Sequence, residues 1–348
     1  DLAWHEPSQR ILLSAHDRWA DPDNEAPVAN GIYGLSFPRL KREFRETSRD
    51  IALPVPNLTE LFQESRILHP HGIALWEPSL PKAGFLDQRI GKQVGRLMVI
   101  NHRAPMQERA DDGTAGTTIE YFHVAPNVEL DHQGTYGHAD ICAANDLHAL
   151  DENTALVSLD RGACGRMGSF LELLLGRDHA RVVRIDITRP DAPDILDDGL
   201  SFANGIVVQD GAKPAVYVAE TQADRIRRYD LVDGRLKRPA TEIPVPGGPD
   251  NLAIDAGGRL LTALHPDTTA LYLHMKRWPF HDHAPTRLVA LDIADDGGCE
   301  MLHDDPDGEP ISGATGVLRI GGMLIAGSVT DDGLLLCKSP PRTTACPE

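Results

Sequence analysis

The sequence lacks the features of several common protein classes. It has no run of about 18 uninterrupted apolar residues, so no membrane span is expected. Positive charge is scarce, because 34 Lys and Arg residues face 52 Asp and Glu residues, giving a net charge of −18. Nucleic acid is therefore not an expected partner, since phosphate binding needs clustered Lys and Arg. The motifs of serine-esterase elbows (GxSxG), phosphate-binding loops and dinucleotide-binding folds are also missing.

Cysteine is sparse as well, with five residues and no CxxC pair. This spacing argues against a zinc ribbon or a thioredoxin-like motif. Cys346 lies near the end of the sequence, where it could close a disulfide. Its partner would be either one of the other four cysteines or a residue upstream of Asp1.

Long helical patterns are rare, and the best candidate is the short segment SFLELLLG, residues 169–176. What recurs instead is a unit made of a polar or small anchor, an alternating strand, a turn and a second apolar strand. Six such units, spaced by roughly 45–75 residues, begin at Asp1, Pro70, Ala144, Ala203, Pro249 and Ala314. This spacing predicts an all-β fold: a single six-bladed β-propeller domain over residues 1–348, with four-stranded blades around a central channel.

Propeller geometry should bring the six anchors together. In each blade the first strand is innermost and the second runs back antiparallel, so the start of one lies beside the end of the other. We therefore expect one mouth of the channel to collect the anchors, which are Asp1, His71, Asn145, Asn204, Asp250 with Asn251, and Thr315. The residues that end the second strands should surround them; these are Asp17, His102, Asp160, Glu220, His265 and Thr330.

Four of the anchors, Asn145, Asn204, Asp250 and Asn251, offer side-chain oxygen with little charge. Oxygen-only ligation suits a hard cation, and Ca²⁺ tolerates irregular sets of about six to eight oxygens. These four residues are thus candidate calcium ligands. The alternative is that each one caps its own turn through a hydrogen bond to nearby backbone.

Histidines gather at the second unit. His69 and His71 are two residues apart, on the same face of a strand, and His102 ends the partner strand. Beside a calcium ion, two imidazoles could form a general-base pair, in which one takes a proton from water and the other orients it. Two alternatives stay open: structural histidines, and a histidine-ligated zinc site, since HxH is a common ligand spacing. The amide-rich oxygen set favours calcium over zinc.

These segments resemble, in the same order, those of the paraoxonase-type lactonases and arylesterases. That family lies within the larger group of gluconolactonase-like and strictosidine-synthase-like six-bladed propellers. The resemblance covers nearly the whole sequence and is carried by PHGIALW with VINH, ANDLHAL, FANGIVV with YVAE, and PDNLAID with the following HP. Each motif alone is short, but together, in this order and at suitable spacing, they are specific.

The resemblance implies two calcium ions in the channel. The catalytic ion would take Asn145, Asn204, Asp250 and Asn251, and a deeper structural ion would take Asp1, Asp146 and the main-chain carbonyl of Ile73. His71 and His102 would form the catalytic dyad, and His265 would line the pocket; His69, Asp160 and Glu220 complete the candidate pocket set. In the family, a glutamate preceding the residue that matches Asp1 also binds the catalytic ion, and an upstream cysteine pairs with the residue that matches Cys346.

The leading hypothesis is therefore a calcium-dependent hydrolase of lactones and aryl esters, acting on a small-molecule substrate. A second is phosphotriester hydrolysis at the same ion. A third is a non-catalytic binding module whose calcium is only structural, because propellers host many functions. Calcium use and a terminal disulfide together predict an oxidising, calcium-rich location, secreted or periplasmic.

Overall fold

The computed structural model describes residues 1–16, 30–47, 51–54, 59–62, 68–78, 95–103, 116–164, 168, 172, 178–189, 191–293, 298–340 and 345–346. Within these residues, 24 strands form six antiparallel sheets of four strands each. Two α-helices and two short 3-10 helices have bounds within the described residues, and Gly168 and Glu172 are also helical.

Each sheet is one blade. The first blade contains β1 (Leu2–His5), β2 (Arg10–Ala15), β3 (Gly31–Ser36) and β5 (Thr59–Phe62). The second contains β6 (Pro70–Trp76), β7 (Gly95–His102), β8 (Thr117–Val124) and β9 (Leu130–Gly137). The third contains β10 (Ala144–Ala149), β11 (Thr154–Leu159), β12 (Ala180–Asp186) and β13 (Asp194–Leu200). The fourth contains β14 (Ala203–Gln209), β15 (Ala215–Glu220), β16 (Arg225–Val232) and β17 (Arg235–Pro244). The fifth contains β18 (Gly248–Ile254), β19 (Leu260–His265), β20 (Thr286–Leu291) and β21 (Cys299–Asp305). The sixth contains β22 (Ala314–Ile320), β23 (Met323–Ser328), β24 (Gly333–Lys338) and β4 (Ile51–Pro54).

The six blades form a closed ring. The innermost strands contact one another in the order β1, β6, β10, β14, β18 and β22, and β22 returns to β1. The sixth blade combines three strands from the end of the chain with β4 from its beginning, so the pairing of β24 with β4 closes the ring. The predicted six-bladed propeller with four-stranded blades is confirmed. Each predicted repeat unit supplies the two inner strands of one blade.

The core lies between the blades. Alternate residues of a strand face opposite neighbours, so Ala155 and Val157 of β11 pack against the second blade, whereas Leu156 packs against the fourth. A second strand is therefore buried on both faces, and all six residues of β15 are buried. The outermost strand β17 is largely exposed. This difference explains why the second strands read as apolar runs in the sequence.

The first helix, α1 (Phe37–Thr47), was not predicted from the sequence. It packs Phe37, Leu40 and Phe44 into the cluster between the first and sixth blades. These residues are spaced three and four apart, so they form one apolar face of the helix.

The second helix, α2 (Thr268–Met275), follows the end of β19 and was also not predicted. Its N-terminus is capped by Asp267, whose carboxylate accepts a hydrogen bond from the Ala270 amide at 2.8 Å. The helix predicted over residues 169–176 lies outside the described residues, apart from Glu172. None of the helices in the described part of the chain is long and apolar enough to cross a membrane.

Two disulfides are present, Cys142–Cys164 and Cys299–Cys346, with Cα–Cα distances of 5.6 and 5.4 Å. Of the partners that the sequence leaves open for Cys346, the structure pairs it with Cys299. The reason is local. The Cys346 amide donates to the Cys299 carbonyl at 3.2 Å, and Ala345 forms a β-bridge with Glu300, so the terminal segment pairs with the outer strand of the fifth blade.

Candidate active site

The predicted anchors lie at irregularities in the innermost strands. In five blades, the pairing between the first and second strands shifts register near the start of the first strand. The shifted segments contain His71, Asn145, Asn204, Asp250 with Asn251, and Thr315. A β-bulge takes residues out of the ladder and re-aims their side chains, which is why bulges recur beside active sites. Asp and Asn, which are poor in regular strands, are tolerated here for the same reason.

Glycines allow the anchor segments of neighbouring blades to approach closely. In the second and fourth blades, the residue after the anchor is Gly72 or Gly205. A Cβ atom at Gly72 would lie 2.8 Å from the carbonyl oxygen of Asn145, and one at Gly205 would lie 2.5 Å from that of Asp250. The anchor segments are thus in direct contact, as the propeller geometry predicted. The glycine after each of these anchors is visible in the sequence, but the backbone that it approaches belongs to the neighbouring blade and cannot be read from the sequence.

Replacement of Gly205 by alanine should disrupt this contact. Its Cβ would lie 2.5 Å from the Asp250 carbonyl and 2.6 Å from the Leu252 amide nitrogen, and neither backbone atom can rotate away. We expect Gly205→Ala to lower the free energy of unfolding by about 1–3 kcal/mol, measured by urea denaturation. Gly327→Ala is the matched control, because its Cβ would meet nothing closer than Leu334 Cδ2 at 3.8 Å. Equal stability of the two variants would contradict the close packing.

Two carboxylates bind main-chain amides of neighbouring blades. Asp1 Oδ2 accepts from the Ile73 amide at 3.1 Å, and Asp146 Oδ2 accepts from the Ile206 amide at 2.9 Å. Burial raises the pKa of Asp146 to about 7; its backbone hydrogen bonds oppose this shift, and the charge of Asp250 adds to it. The set predicted for the structural ion, Asp1, Ile73 and Asp146, is brought together where adjacent blades meet, because a Cβ atom at Gly72, next to Ile73, would lie 2.9 Å from Asp146 Cα. Asp1 binds the N–H of Ile73, and the ligand role of the Ile73 carbonyl stays a prediction.

Asn204 has a buried amide oxygen with no hydrogen-bond partner among the described residues. Its Nδ2 donates to Thr221 Oγ1 at 3.1 Å. The Thr221 proton is already committed to the Pro249 carbonyl, at 2.7 Å, so Thr221 can only accept from Asn204 and the orientation of the amide is fixed. An unsatisfied buried acceptor costs about 1–3 kcal/mol. A bound cation would remove that cost at Oδ1.

Asp250 and His265 form a buried pair in the fifth blade. Asp250 Oδ2 lies 2.9 Å from His265 Nε2, and the two residues are 8% and 2% exposed. Within the described residues, His265 Nδ1 makes no hydrogen bond. The bond from Thr221 to the Pro249 carbonyl, next to Asp250, ties this pair to Asn204 in the fourth blade.

The oxygen set fits a hard cation. Asn145, Asn204, Asp250 and Asn251 come from three consecutive blades and offer mostly neutral oxygen with one carboxylate, a donor set that suits Ca²⁺. The unsatisfied Oδ1 of Asn204 and the buried carboxylate of Asp146 would both be stabilised by a nearby cation. In the part of the chain described above, no cluster of three or more His, Cys, Asp or Glu side chains is arranged to hold a metal. The candidate set therefore depends on its amide oxygens.

The two histidines predicted to act together are neighbours. The ring centroids of His71 and His102 are 5.3 Å apart, with an angle of 49° between the ring planes. The main chain of His71 is held by Ser14, whose hydroxyl donates to the His71 carbonyl at 2.6 Å. His102 Nδ1 lies 3.1 Å from Thr117 Oγ1. Ser14 and Thr117 were not predicted as site residues.

His69 forms a hydrogen bond to the backbone of this histidine pair. Its Nδ1 donates to the His102 carbonyl at 2.9 Å, and its ring stacks on that of His16 at a centroid distance of 4.8 Å. The His69 amide donates to Asn101 Oδ1 at 2.8 Å. His69 therefore lies beside the dyad, with hydrogen bonds to the main chain and to Asn101; its predicted place in the substrate pocket stays a prediction.

A buried carboxylate behind the histidines was not predicted. Glu120 is 4% exposed, and Asn101 and Thr118 donate to it at 3.1 and 2.8 Å. Burial acts to raise the pKa of Glu120, but hydrogen bonds from Thr135, Asn101 and Thr118 outweigh it and hold that pKa below its usual value. Asn101 links Glu120 to the His69 amide. The only sequence signal was an acid inside the apolar strand TTIEYFHV.

The two remaining predicted pocket residues, Asp160 and Glu220, differ in how they are paired with arginine. Asp160 is 8% exposed, and its Oδ1 lies 3.5 Å from Arg161 Nε. Glu220 is fully buried and accepts from Arg225 and Arg227 at 2.6 and 2.7 Å. These are the contacts of a structural carboxylate, so we leave Glu220 out of the candidate site. Another member of the predicted ring, Asp17, lies outside the described residues.

Comparisons with known proteins bear on the fold and on the family. Residues 97–334 match a family model described as Arylesterase. The structure is similar to that of a gluconolactonase from Xanthomonas campestris, with a TM-score of 0.53 and 16% sequence identity over 97% of this chain and 85% of that one. A protein of unknown function from Bacteroides caccae gives a TM-score of 0.45 and 10% identity over 95% of this chain and 91% of that one.

No curated protein matches the sequence significantly. At these identities the structural likeness shows the fold alone. The match to the family model supports a statement about the family as well, because it spans well over half of the 348 residues. The chain belongs to the arylesterase family.

Proposed function

We propose that the chain is a calcium-dependent hydrolase that opens lactones and cleaves aryl esters. Membership of the arylesterase family supports hydrolysis of esters or lactones. The observation that carries the dependence on calcium is the buried Oδ1 of Asn204, which has no partner among the described residues. It is tied through Thr221 to the segment that carries Asp250, and Asp250 is paired with a buried histidine.

The proposal assigns the predicted ligand sets to two ions. The catalytic ion would be held by Asn145, Asn204, Asp250 and Asn251, and the structural ion by Asp1, Asp146 and the carbonyl of Ile73. When bound, the catalytic ion would polarise the substrate carbonyl and stabilise the negative charge that develops on its oxygen.

The histidine pair would carry out the proton transfers. As water attacks the carbonyl carbon, one imidazole of His71 and His102 takes its proton and the other orients it. The bond from that carbon to the alcohol or phenol oxygen then breaks, and the protonated imidazole returns its proton to the leaving oxygen. One water is consumed, giving a carboxylic acid and an alcohol, which remain in one molecule when the substrate is a lactone.

His69, His265 and Asp160 are proposed to line the substrate side of the mouth. Two carboxylates, Asp160 and Asp250, are nearly buried here, and each lies beside a basic side chain, that of Arg161 or His265. Together with the cation that Asp250 would help to hold, these groups would balance much of the negative charge at the mouth.

The two disulfides support an oxidising location for the protein. We propose that it is secreted or periplasmic. In such a space calcium is also available to fill both sites.

A substrate panel tests the proposal. It contains γ- and δ-lactones, aryl acetates and phosphotriesters, and it is assayed with the wild type, His71→Gln and His102→Gln. We expect the wild type to hydrolyse lactones and aryl acetates, and both variants to lose about 10²–10⁴-fold in kcat, the usual contribution of a general base. His303→Gln, on the outer strand β21, is the control and should keep wild-type rates.

The other hypotheses predict different results in the same assay. A wild type that hydrolyses only phosphotriesters would assign the site to that reaction. A wild type that binds calcium but hydrolyses none of the panel would favour the non-catalytic binding module. Either result would overturn the proposed function.

A further inference from the structure

A threonine hydroxyl connects one histidine of the pair to the backbone of the next blade. Thr117 pairs directly with His102 across β7 and β8 and is 2% exposed. Its Oγ1 lies 3.1 Å from His102 Nδ1 and 2.9 Å from the carbonyl oxygen of Cys142. Cys142 belongs to the segment that leads into β10 and Asn145. The contact therefore links the candidate base to the candidate ligand segment.

The direction of these two hydrogen bonds follows from the chemistry of the groups. A carbonyl oxygen can only accept, so the Thr117 hydroxyl proton goes to Cys142. The Thr117 oxygen then offers only a lone pair to His102, so His102 Nδ1 must donate. In a neutral imidazole only one nitrogen carries a proton, which places the basic lone pair of His102 on Nε2.

The carbonyl that receives the Thr117 proton is held from several sides. Cys142 is cross-linked to Cys164, and its amide donates to the Ala139 carbonyl at 3.4 Å. The next carbonyl, that of Ala143, accepts from the Asp160 amide at 2.9 Å. Turning the Thr117 proton away from Cys142 would break a partly buried hydrogen bond without a replacement for the carbonyl, which is unfavourable. The fold thus fixes the direction of both hydrogen bonds, from His102 to Thr117 and from Thr117 to Cys142.

We propose that Thr117 is a positioning residue for the reaction; this inference rests on the ester hydrolysis proposed for the chain. By donating to Cys142, Thr117 holds neutral His102 in the Nδ1–H tautomer and makes Nε2 the nitrogen that takes up a proton. In the other tautomer an N–H would occupy the place of the base, and His102 could not accept a proton there. A hydroxyl outside the reacting centre therefore selects the reactive form of the histidine.

The test compares Thr117→Val, which removes the hydroxyl but keeps the shape, with Thr117→Ser, which keeps the hydroxyl. Nitrogen-15 NMR of the imidazoles reports the tautomer, with the His102 signals assigned by their loss in His102→Gln. We expect the Nδ1–H form in the wild type and Thr117→Ser, and a shift toward Nε2–H in Thr117→Val. In Thr117→Val, kcat should fall about 10–100-fold while KM changes by less than about threefold.

Thr262→Val is the matched control. Thr262 is fully buried in β19, and its hydroxyl donates to the Ala263 carbonyl at 3.0 Å. A merely structural role for Thr117 would lower the melting temperature in both valine variants and leave the His102 tautomer unchanged, which would overturn the inference. Wild-type kcat in Thr117→Val would overturn it too. If the wild type hydrolyses nothing, the proposed function fails instead, and the NMR comparison alone judges whether Thr117 sets the tautomer.

Discussion

Exhaustive dialysis against EDTA is expected to abolish hydrolysis of lactones and aryl esters and to lower the melting temperature in the same titration. Both effects have one cause, because the proposed ligands also join neighbouring blades. Without a cation, Asn204 Oδ1 is a buried acceptor with no partner in the described residues, and the charged form of Asp146 is disfavoured by burial. Removing the ion should therefore loosen the mouth and stop the reaction together.

The size of the two effects differs. A ligand that binds only the folded state stabilises it by about 2.7 kcal/mol when its concentration is 100 times its Kd. For a chain of 348 residues this corresponds to about 4 °C in melting temperature. Activity should fall far more, by about 10³-fold, because stabilisation of charge at the carbonyl oxygen is lost in the transition state.

The measurement follows aryl acetate hydrolysis and thermal unfolding as functions of calcium concentration. A sample dialysed against calcium-saturated EDTA is the control, and added calcium should restore both readouts. Magnesium should restore less, because it demands a regular octahedron at shorter distances. Full activity after complete removal of calcium would contradict the proposed mechanism. A lower melting temperature with unchanged turnover would leave calcium only a structural role.

The propeller could be predicted from the sequence because its repeating signal is local. The two inner strands of a blade, such as β18 and β19, are joined by a short turn and keep their apolar alternation within about 20 residues. The pairing of β4 with β24 could not be predicted, because it joins opposite ends of the chain and leaves no local pattern. Phe37, Leu40 and Phe44 have the spacing of an amphipathic helix, but this short pattern is hard to recognise among the many strand patterns of the sequence.

The site was partly predictable for a similar reason. Asn145, Asn204 and Asp250 stand out because amides and acids are unusual at the start of a strand and recur at one place in sister units. Thr117 does not stand out, because threonine is an ordinary strand residue and its role depends on a carbonyl of the next blade. Glu220 occupies a predicted ring position, yet two arginines five and seven residues later neutralise it. Such contacts are set by packing between strands, which sequence spacing alone does not define.

Asp250→Ala should deprive the protein of both calcium and activity. Asp250 is the one carboxylate among the four residues proposed for the catalytic ion, so it supplies most of their attraction for a cation. In its absence only neutral amide oxygens remain, and we expect calcium affinity to fall by more than about 100-fold. Loss of the ion should then lower kcat/KM by about 10³-fold. Calcium content by elemental analysis and rates of aryl acetate hydrolysis are the two readouts.

Asp250→Asn separates charge from shape. The amide keeps an oxygen for a cation and a hydrogen-bonding group for His265, whose Nε2 is 2.9 Å from the carboxylate. It removes the negative charge. If charge attracts the ion, Asp250→Asn should bind calcium nearly as weakly as Asp250→Ala while keeping more of the stability. Wild-type calcium affinity in Asp250→Asn would show that the charge is not needed.

The matched control is a second buried carboxylate beside the same strand. Asp255 follows the last residue of β18, at the end of the strand remote from Asp250, and pairs with Arg259 and Arg319 at 3.5 and 3.2 Å. Removing one partner of a buried ion pair costs about 3–5 kcal/mol, so Asp255→Ala should lose more stability than Asp250→Ala but keep its calcium. Unchanged calcium content in Asp250→Ala would refute the ligand assignment, and equal calcium loss in both variants would attribute it to damage to the fold. The contrast therefore decides whether the bulge at Asp250 and Asn251 is a binding site or only a turn.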